Sequence, residues 1–247
     1  MTATAPAAND RPNYGIDAPN VLRNLLVIGA LCVVIALILP QQVHLGSVLI
    51  SPRPTFWWTG GFLLVEGFLY LFYVKKGKQY HRDKMLEMVA WRGDESVLDV
   101  GCGRGLLLVG AAKRAPDGHA TGIDVWSKED MAGNSEAATR RNLQIEGVAS
   151  RCDLVSAGAQ KMPFADASFD VVVSNLCLHN IYNKPTRERA VREIARVLKP
   201  GGVALISDYK LTGEYAATLS ELGLAVERRW GSVSAFPPLR VVIARRP

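Results

Sequence analysis

Two long apolar runs, followed by a change of period, organise this chain. Val21 to Leu39 is 19 residues long, and its only polar members, Arg23 and Asn24, stand near its start. Thr55 to Val74 adds 20 more, with Phe56-Trp57-Trp58 at one end and Tyr70-Leu71-Phe72-Tyr73 at the other. About 20 apolar residues in a helix cross a bilayer core, and aromatic clusters favour its two interfaces. Neither run has a polar face to turn toward water, which argues against buried core helices of a soluble domain. A cleaved signal peptide fits poorly, because no basic segment precedes the first run and Pro40-Gln41-Gln42 is not a small-residue cleavage site. The pattern predicts a helical transmembrane hairpin over residues 21–74, its spans near 21–39 and 55–74, preceded by a disordered Ala/Pro/Asn-rich tail over residues 1–20.

From about Gly77 the period changes to short apolar runs alternating with amphipathic stretches, the pattern of a parallel sheet covered by helices. Strands are predicted at 97–100, 120–125, 149–156, 169–174, 203–207, 225–229 and 239–244. Helices are predicted at 80–90, 105–114, 134–146, 186–198 and 214–222, with Lys199-Pro200-Gly201-Gly202 ending the fourth. The expected fold is therefore α/β: a doubly wound, seven-stranded, mostly parallel sheet over residues 75–247, behind the hairpin.

Charge sharpens the division. Residues 1–74 balance Arg11, Arg23 and Arg53 against Asp10, Asp17 and Glu66, so the whole excess of the net +6 lies in the α/β domain. Lys75, Lys76, Lys78, Arg82 and Lys84 follow the second run closely, whereas the connecting loop holds only Arg53. The positive-inside rule then places both termini and the domain in the cytoplasm, with a basic collar against anionic head groups of a bacterial-type inner or plasma membrane. No aromatic-basic stripe or zinc spacing points to nucleic acid. Cys32, Cys102, Cys152 and Cys177 show no C-x-x-C spacing, so neither a disulfide framework nor a metal site is expected. Glu66, inside the second run, is either a protonated or helix-pairing carboxyl or a functional one, and the first reading is preferred. Gly60, Gly61 and Gly67 would allow close helix packing.

The chemistry is concentrated in Ser96-Val97-Leu98-Asp99-Val100-Gly101-Cys102-Gly103-Arg104-Gly105. A strand running into a glycine-rich turn and then a helix aims backbone N–H groups at a flat polar ligand. A dinucleotide fingerprint would need a glycine at position 106, which is Leu106, so an NAD-dependent oxidoreductase is disfavoured. Asp124 ends the second strand, 19 residues after Gly105, where a carboxylate can accept both hydroxyls of a ribose.

Downstream come Lys161-Met162-Pro163-Phe164, Ser168-Phe169-Asp170 and Arg196-Val197-Leu198-Lys199-Pro200-Gly201-Gly202. With G-x-G-x-G, and in this order, they make residues 80–247 resemble the small-molecule, type 11-like class I S-adenosylmethionine (SAM) dependent methyltransferases. The resemblance implies SAM as cofactor, bound by Asp99, Gly101, Cys102, Gly103, Gly105, Asp124, Val125, Ala159, Gln160 and Asn175. It places the Asp99 carboxylate near the methionine end. One position departs from the family pattern: Gly158 stands where an acidic residue usually faces the adenine amino group, leaving Ala159 backbone and the Gln160 side chain for that task.

His179 and Asn175 follow the fourth strand and are the candidate catalytic residues. His179 could serve as general base toward a hydroxyl or thiol, although a packing role is slightly preferred. Asn175 does not open an Asn-Pro-Pro-Tyr motif, which argues weakly against amide or adenine acceptors. The expected enzyme is a membrane-anchored methyltransferase acting on a small, amphiphilic or lipid-like acceptor. The alternative is a non-catalytic SAM-binding assembly subunit. Four segments, 126–133, 179–185, 209–213 and 230–238, are expected to shape the acceptor site.

Overall fold

The structure is a computed structural model that describes residues 10–247. Helix α1 (Pro19–Ile38) is joined by a small hairpin, β1 (Val43–Leu45) and β2 (Val48–Ile50), to helix α2 (Pro52–Phe72). Both helices are long and apolar enough to cross a membrane. Their crossing depends on missing side chains. A Cβ on Gly60 would stand 2.8 Å from the Gly29 carbonyl oxygen, and one on Gly67 would stand 2.6 Å from Leu26. Gly61 faces open space and takes no part in the crossing. Turned outward are large apolar side chains such as Leu31, Val34, Trp58, Phe62 and Phe68.

The boundary expected at residue 75 falls inside a continuous helix. Helix α2 passes through one π-turn, Tyr73–Gly77, into α3 (Lys78–Leu86), so that a single helical run spans Pro52–Leu86. The joint seats Tyr73, 1% exposed, against Ala235 and Leu239 of the domain.

Two expectations need correction here. Of the predicted disordered tail, residues 1–9 lie outside the described residues, but residues 10–18 are held in place. The Asn13 N–H donates to Asn142 Oδ1, the Tyr14 hydroxyl donates to Glu146, and the Ala18 N–H donates to the Asp130 carbonyl. Lys78 also leaves the basic collar. It is buried, with Nζ donating to the carbonyls of Tyr14 (2.8 Å) and Gly15 (2.7 Å) beside Asp17. A buried ammonium is tolerated because those oxygens replace its water, although burial still lowers its pKa.

The domain's strands are β3 (Ser96–Val100), β4 (His119–Asp124), β5 (Cys152–Ser156), β6 (Phe169–Asn175), β7 (Leu198–Asp208), β8 (Ala225–Trp230) and β9 (Arg240–Arg245). They form one seven-stranded sheet in the order β5-β4-β3-β6-β7-β9-β8, parallel except for β9. Helices α4 (Leu106–Arg114) and α5 (Glu136–Ile145) pack with α3 on one face, where Met85, Leu108 and Leu143 meet Val97, Val171 and Leu205. Helices α6 (Lys184–Val197) and α7 (Thr212–Glu221) cover the other, where Ile194 and Leu219 meet Leu98, Val172 and Ile206. Covered on both sides, the central strands can be apolar throughout.

Lys199-Pro200-Gly201-Gly202 was expected to end a helix ahead of a strand at 203. The structure carries these residues inside β7 instead. The register slips between the Phe169–Leu198 and Val171–Val203 pairs, so they form an irregularity that the sheet absorbs.

His81 of α3 is almost wholly buried, its Nε2 2.8 Å from Ser207 Oγ, and burial holds its pKa down at about 4. The fold therefore accepts the neutral imidazole. As pH falls, an unfolded histidine binds its proton near 6.5 while the folded one waits until about 4. Stability from this group is complete above pH 6.5 and is lost between there and pH 4, by about 3 kcal/mol. Urea unfolding midpoints measured across that window should fall in the wild type, and the slope should flatten in His81→Gln. A slope unchanged by that substitution would assign the acid lability to other groups.

Candidate active site

The C-terminal ends of the parallel strands open into a cavity of about 860 Å³. At its floor, β3 stops at Gly101, which has φ +73° and whose added Cβ would collide with the Cys177 side chain. Only glycine fits there. The Gly101 and Cys102 N–H groups donate to the Ile123 carbonyl, and the Gly103 N–H donates to Asp124 Oδ2 at 2.8 Å. Gly105 caps α4 from the left-handed region, and Thr139 Oγ1 ties down the Gly103 carbonyl at 2.7 Å. The turn is thus fixed from both sides; Gly101, Cys102 and Gly103 line the cavity, whereas Gly105 backs onto Thr139 and does not.

Asp124, at the end of β4, is nearly buried. Besides Gly103, it accepts from the Trp126 N–H at 2.6 Å and from Asn134 Nδ2 at 3.2 Å, both on Oδ1. At about two lone pairs per oxygen, Oδ1 is filled and Oδ2 keeps acceptor capacity for one further donor. Asn134 Oδ1 is buried, lacks a partner and belongs to a residue that lines the cavity. Sequence reasoning missed Asn134, because nothing in a loop position ten residues after Asp124 signals that the chain folds back onto it.

Asp99 lies deeper, 1% exposed, with Oδ2 unpartnered. Burial pushes its carboxyl up to about 8, and the neighbouring Asp124 charge adds to the shift. In the ligand-free protein its contribution to stability is full below pH 3.8 and is lost as pH rises through about 8, the reverse of a paired carboxylate. A cation bound against it reverses the preference. Binding of SAM at pH 7 is therefore expected to expel a proton, and affinity should rise with pH up to about 8. Calorimetry in two buffers of different ionisation enthalpy checks this, since equal heats would mean that no proton leaves.

Gly158 explains itself in the structure. A Cβ there would stand 2.6 Å from the Gln160 amide, so the Gln160 side chain folds over the place an acidic residue would occupy. Ala159, Gln160, Val125 and Asn175 all line the same cavity. Burial raises the pKa values of Cys102 and Cys177, so both remain thiols.

His179 sits on a single 3-10 turn directly after β6. Its Nδ1 is 2.9 Å from Asp208 Oδ1, off the line of a well-aligned hydrogen bond, and its ring meets Tyr209 edge-on at 4.8 Å between centroids. Asp208 is fully buried and also receives the Tyr209 N–H (2.8 Å) and the Tyr215 hydroxyl (3.2 Å). This carboxylate was not anticipated, although it ends the fifth parallel strand one residue beyond the predicted boundary. The pairing changes the balance for His179, because a packing histidine has no need of a buried, otherwise anchored carboxylate behind it. All four segments expected to shape the acceptor site reach the cavity, through Met131, Tyr182, Lys210 and Phe236 among others. Among the described residues, no group of His, Cys, Asp and Glu is placed to hold a metal ion.

A doubly wound sheet with a single antiparallel strand, a G-x-G-x-G turn and an acidic residue closing the second strand together define a class I SAM-dependent methyltransferase domain. Residues 98–206 match the family described as "Methyltransferase domain". Over 118 residues the chain is 36% identical to the sterol 4-C-methyltransferase strm-1 of Caenorhabditis elegans, covering 48% of this chain and 32% of that protein. Over 162 residues it is 28% identical to the ubiquinone/menaquinone biosynthesis C-methyltransferase UbiE of Dinoroseobacter shibae, covering 66% and 58%. The matched stretches thus span about a third to somewhat over half of these relatives' own lengths. A SAM-dependent methyltransferase from Aquifex aeolicus superposes with a TM-score of 0.51 at 21% identity, over 66% of this chain and 88% of that one, which shows the shared fold.

The chain fits the cofactor. The bare glycine turn, the unpartnered Asp99 and Asn134 oxygens and the spare capacity of Asp124 are what a cationic nucleoside needs.

Proposed function

We propose that this protein is a membrane-anchored methyltransferase that moves a methyl group from SAM to a small amphiphilic or lipid-like acceptor at the cytoplasmic face. The observation that carries this reading is the cavity itself. Tyr70 and Tyr73 of the hairpin's second helix line it together with Gly103, Asp124 and His179 of the domain. An acceptor lying against the hairpin would reach the cofactor without leaving the apolar phase, and anchoring raises the effective concentration of such an acceptor.

SAM supplies a methyl group already activated on a sulfonium, so the chain's task is alignment, exclusion of water and removal of one proton. Gly101, Gly103 and Asp124 would hold the nucleoside end, and Asp99 the cationic end. Backed by Asp208, His179 would present Nε2 to the cavity and take the proton from an acceptor hydroxyl, most usefully one on a ring. Once deprotonated, such a hydroxyl activates either its own oxygen or an adjacent ring carbon. Two relatives are named as a sterol 4-C-methyltransferase and as a C-methyltransferase of ubiquinone/menaquinone biosynthesis, which supports this acceptor class.

The test is co-flotation of the full-length protein with phosphatidylglycerol-containing vesicles, followed by transfer of radiolabel from SAM into the organic extract of native membranes. Label confined to the aqueous fraction would overturn the acceptor class. Absence of flotation would overturn the anchor.

A further inference from the structure

Among the residues lining the cavity are two stripes from the hairpin that no cofactor site requires. Val21 and Leu25 stand four apart on α1, and Glu66 and Tyr70 stand at i and i+4 on α2, with Tyr73 following at i+7 where the π-turn opens, so each set forms one helix face. Both faces line the same cavity. Immediately behind them the helices touch through Gly67 and Leu26, which closes the back of the groove. Val21 is 52% exposed, so the groove opens outward at the level of the hairpin.

Glu66 is out of place in this groove. It is half-buried in an apolar helix, about 9 Å up from Phe72 at the helical rise of ~1.5 Å per residue, yet no hydrogen bond or ion pair engages its carboxyl among the described residues. The nearby Tyr70 hydroxyl offers nothing, being committed to the Asp17 carbonyl at 2.7 Å. A carboxyl at such a depth is costly unless something satisfies it. The first alternative, pairing across the two helices, finds no polar group on the facing stripe, which is Val21 and Leu25.

We infer that the groove between α1 and α2 is part of the acceptor site, and that Glu66 is its polar reading point. It would accept a hydrogen bond from a second hydroxyl on a neutral, membrane-dissolved ring compound whose first hydroxyl faces His179. The apolar body of that compound lies along Val21 and Leu25. The hairpin then selects the acceptor as well as anchoring the enzyme. This rests on the membrane-anchored reading above.

The probes are decylresorcinol, which carries two ring hydroxyls, and decylphenol, which carries one. Binding of each to full-length protein in phosphatidylcholine–phosphatidylglycerol vesicles is followed by quenching of protein fluorescence, with SAM affinity measured in parallel. Glu66→Leu should weaken decylresorcinol roughly three- to tenfold and leave decylphenol unchanged. Leu25→Trp, or Val21→Trp if that variant folds poorly, should weaken both probes about tenfold, because the added ring overfills the groove. SAM affinity should stay within about twofold of wild type in all three, which also reports that the domain is folded.

Equal binding of both probes by wild type and variants would overturn the groove. So would a wild type that binds SAM but neither probe, and that result leaves the methyltransferase reading standing. Probe binding with the expected variant pattern but no SAM binding would keep the groove and sink the methyltransferase reading.

Discussion

Asp124→Ala is expected to weaken SAM binding by on the order of 100-fold, about 3 kcal/mol. Part of that loss is direct on the proposed reading, in which the Asp124 carboxylate accepts from the ribose of the cofactor. The rest comes from the turn. Asp124 holds the Gly103 N–H on one oxygen and the Trp126 N–H and Asn134 amide on the other, so its removal strands three donors and loosens the cradle. The ligand-free protein should also lose about 1–3 kcal/mol of stability, the cost of leaving buried donors unpaired. Asp124→Asn, which keeps acceptor capacity without the charge, should fall between. Calorimetry on detergent-solubilised protein measures the affinity and thermal unfolding the stability. An affinity unchanged by Asp124→Ala would place the ribose elsewhere.

The second large effect concerns His179. His179→Ala should lower the methyl-transfer rate by about 100- to 1000-fold, the usual contribution of a positioned base, while SAM affinity stays near wild type. Asp208→Asn separates a base from a packing residue. An orienting carboxylate fixes the tautomer that leaves Nε2 free, so its replacement should reduce kcat and shift the pH profile with little change in KM. Retained turnover in His179→Ala would show that the acceptor needs no base and would return His179 to packing against Tyr209. The assay is incorporation of label from SAM into lipid extract, compared at several pH values.

Much of this protein is legible in its sequence because the signals are local. Apolar runs of 19 and 20 residues locate α1 and α2, and short apolar runs locate β3, β4 and β6. The positive φ of the glycine turn is required by the chain at that point and not by distant packing, so the motif also announces the cofactor cradle. Gly101, Gly103 and Asp124 meet where their spacing implied they would.

What the sequence could not supply depends on contacts made over long separations. Asn134 enters the site only because a loop folds back on Asp124. Asp208 becomes a partner for His179 only because β6 and β7 are neighbours in the sheet. Lys78 reads as one more cation of a surface collar until residues 14–17 wrap over it, and then its ammonium faces two carbonyls and the Asp17 carboxylate instead of head groups. Lys199-Pro200-Gly201-Gly202 has the composition of a turn, yet it runs on into β7 because the paired residues on either side, Leu198 and Val203, hold it as an irregularity within the strand. Glu66 has two readings as a residue in an apolar helix. The packing of α1 against α2 at Gly60 and Gly67 turns it toward the cavity of the domain, because a helix face acquires meaning only from what the other helices leave open.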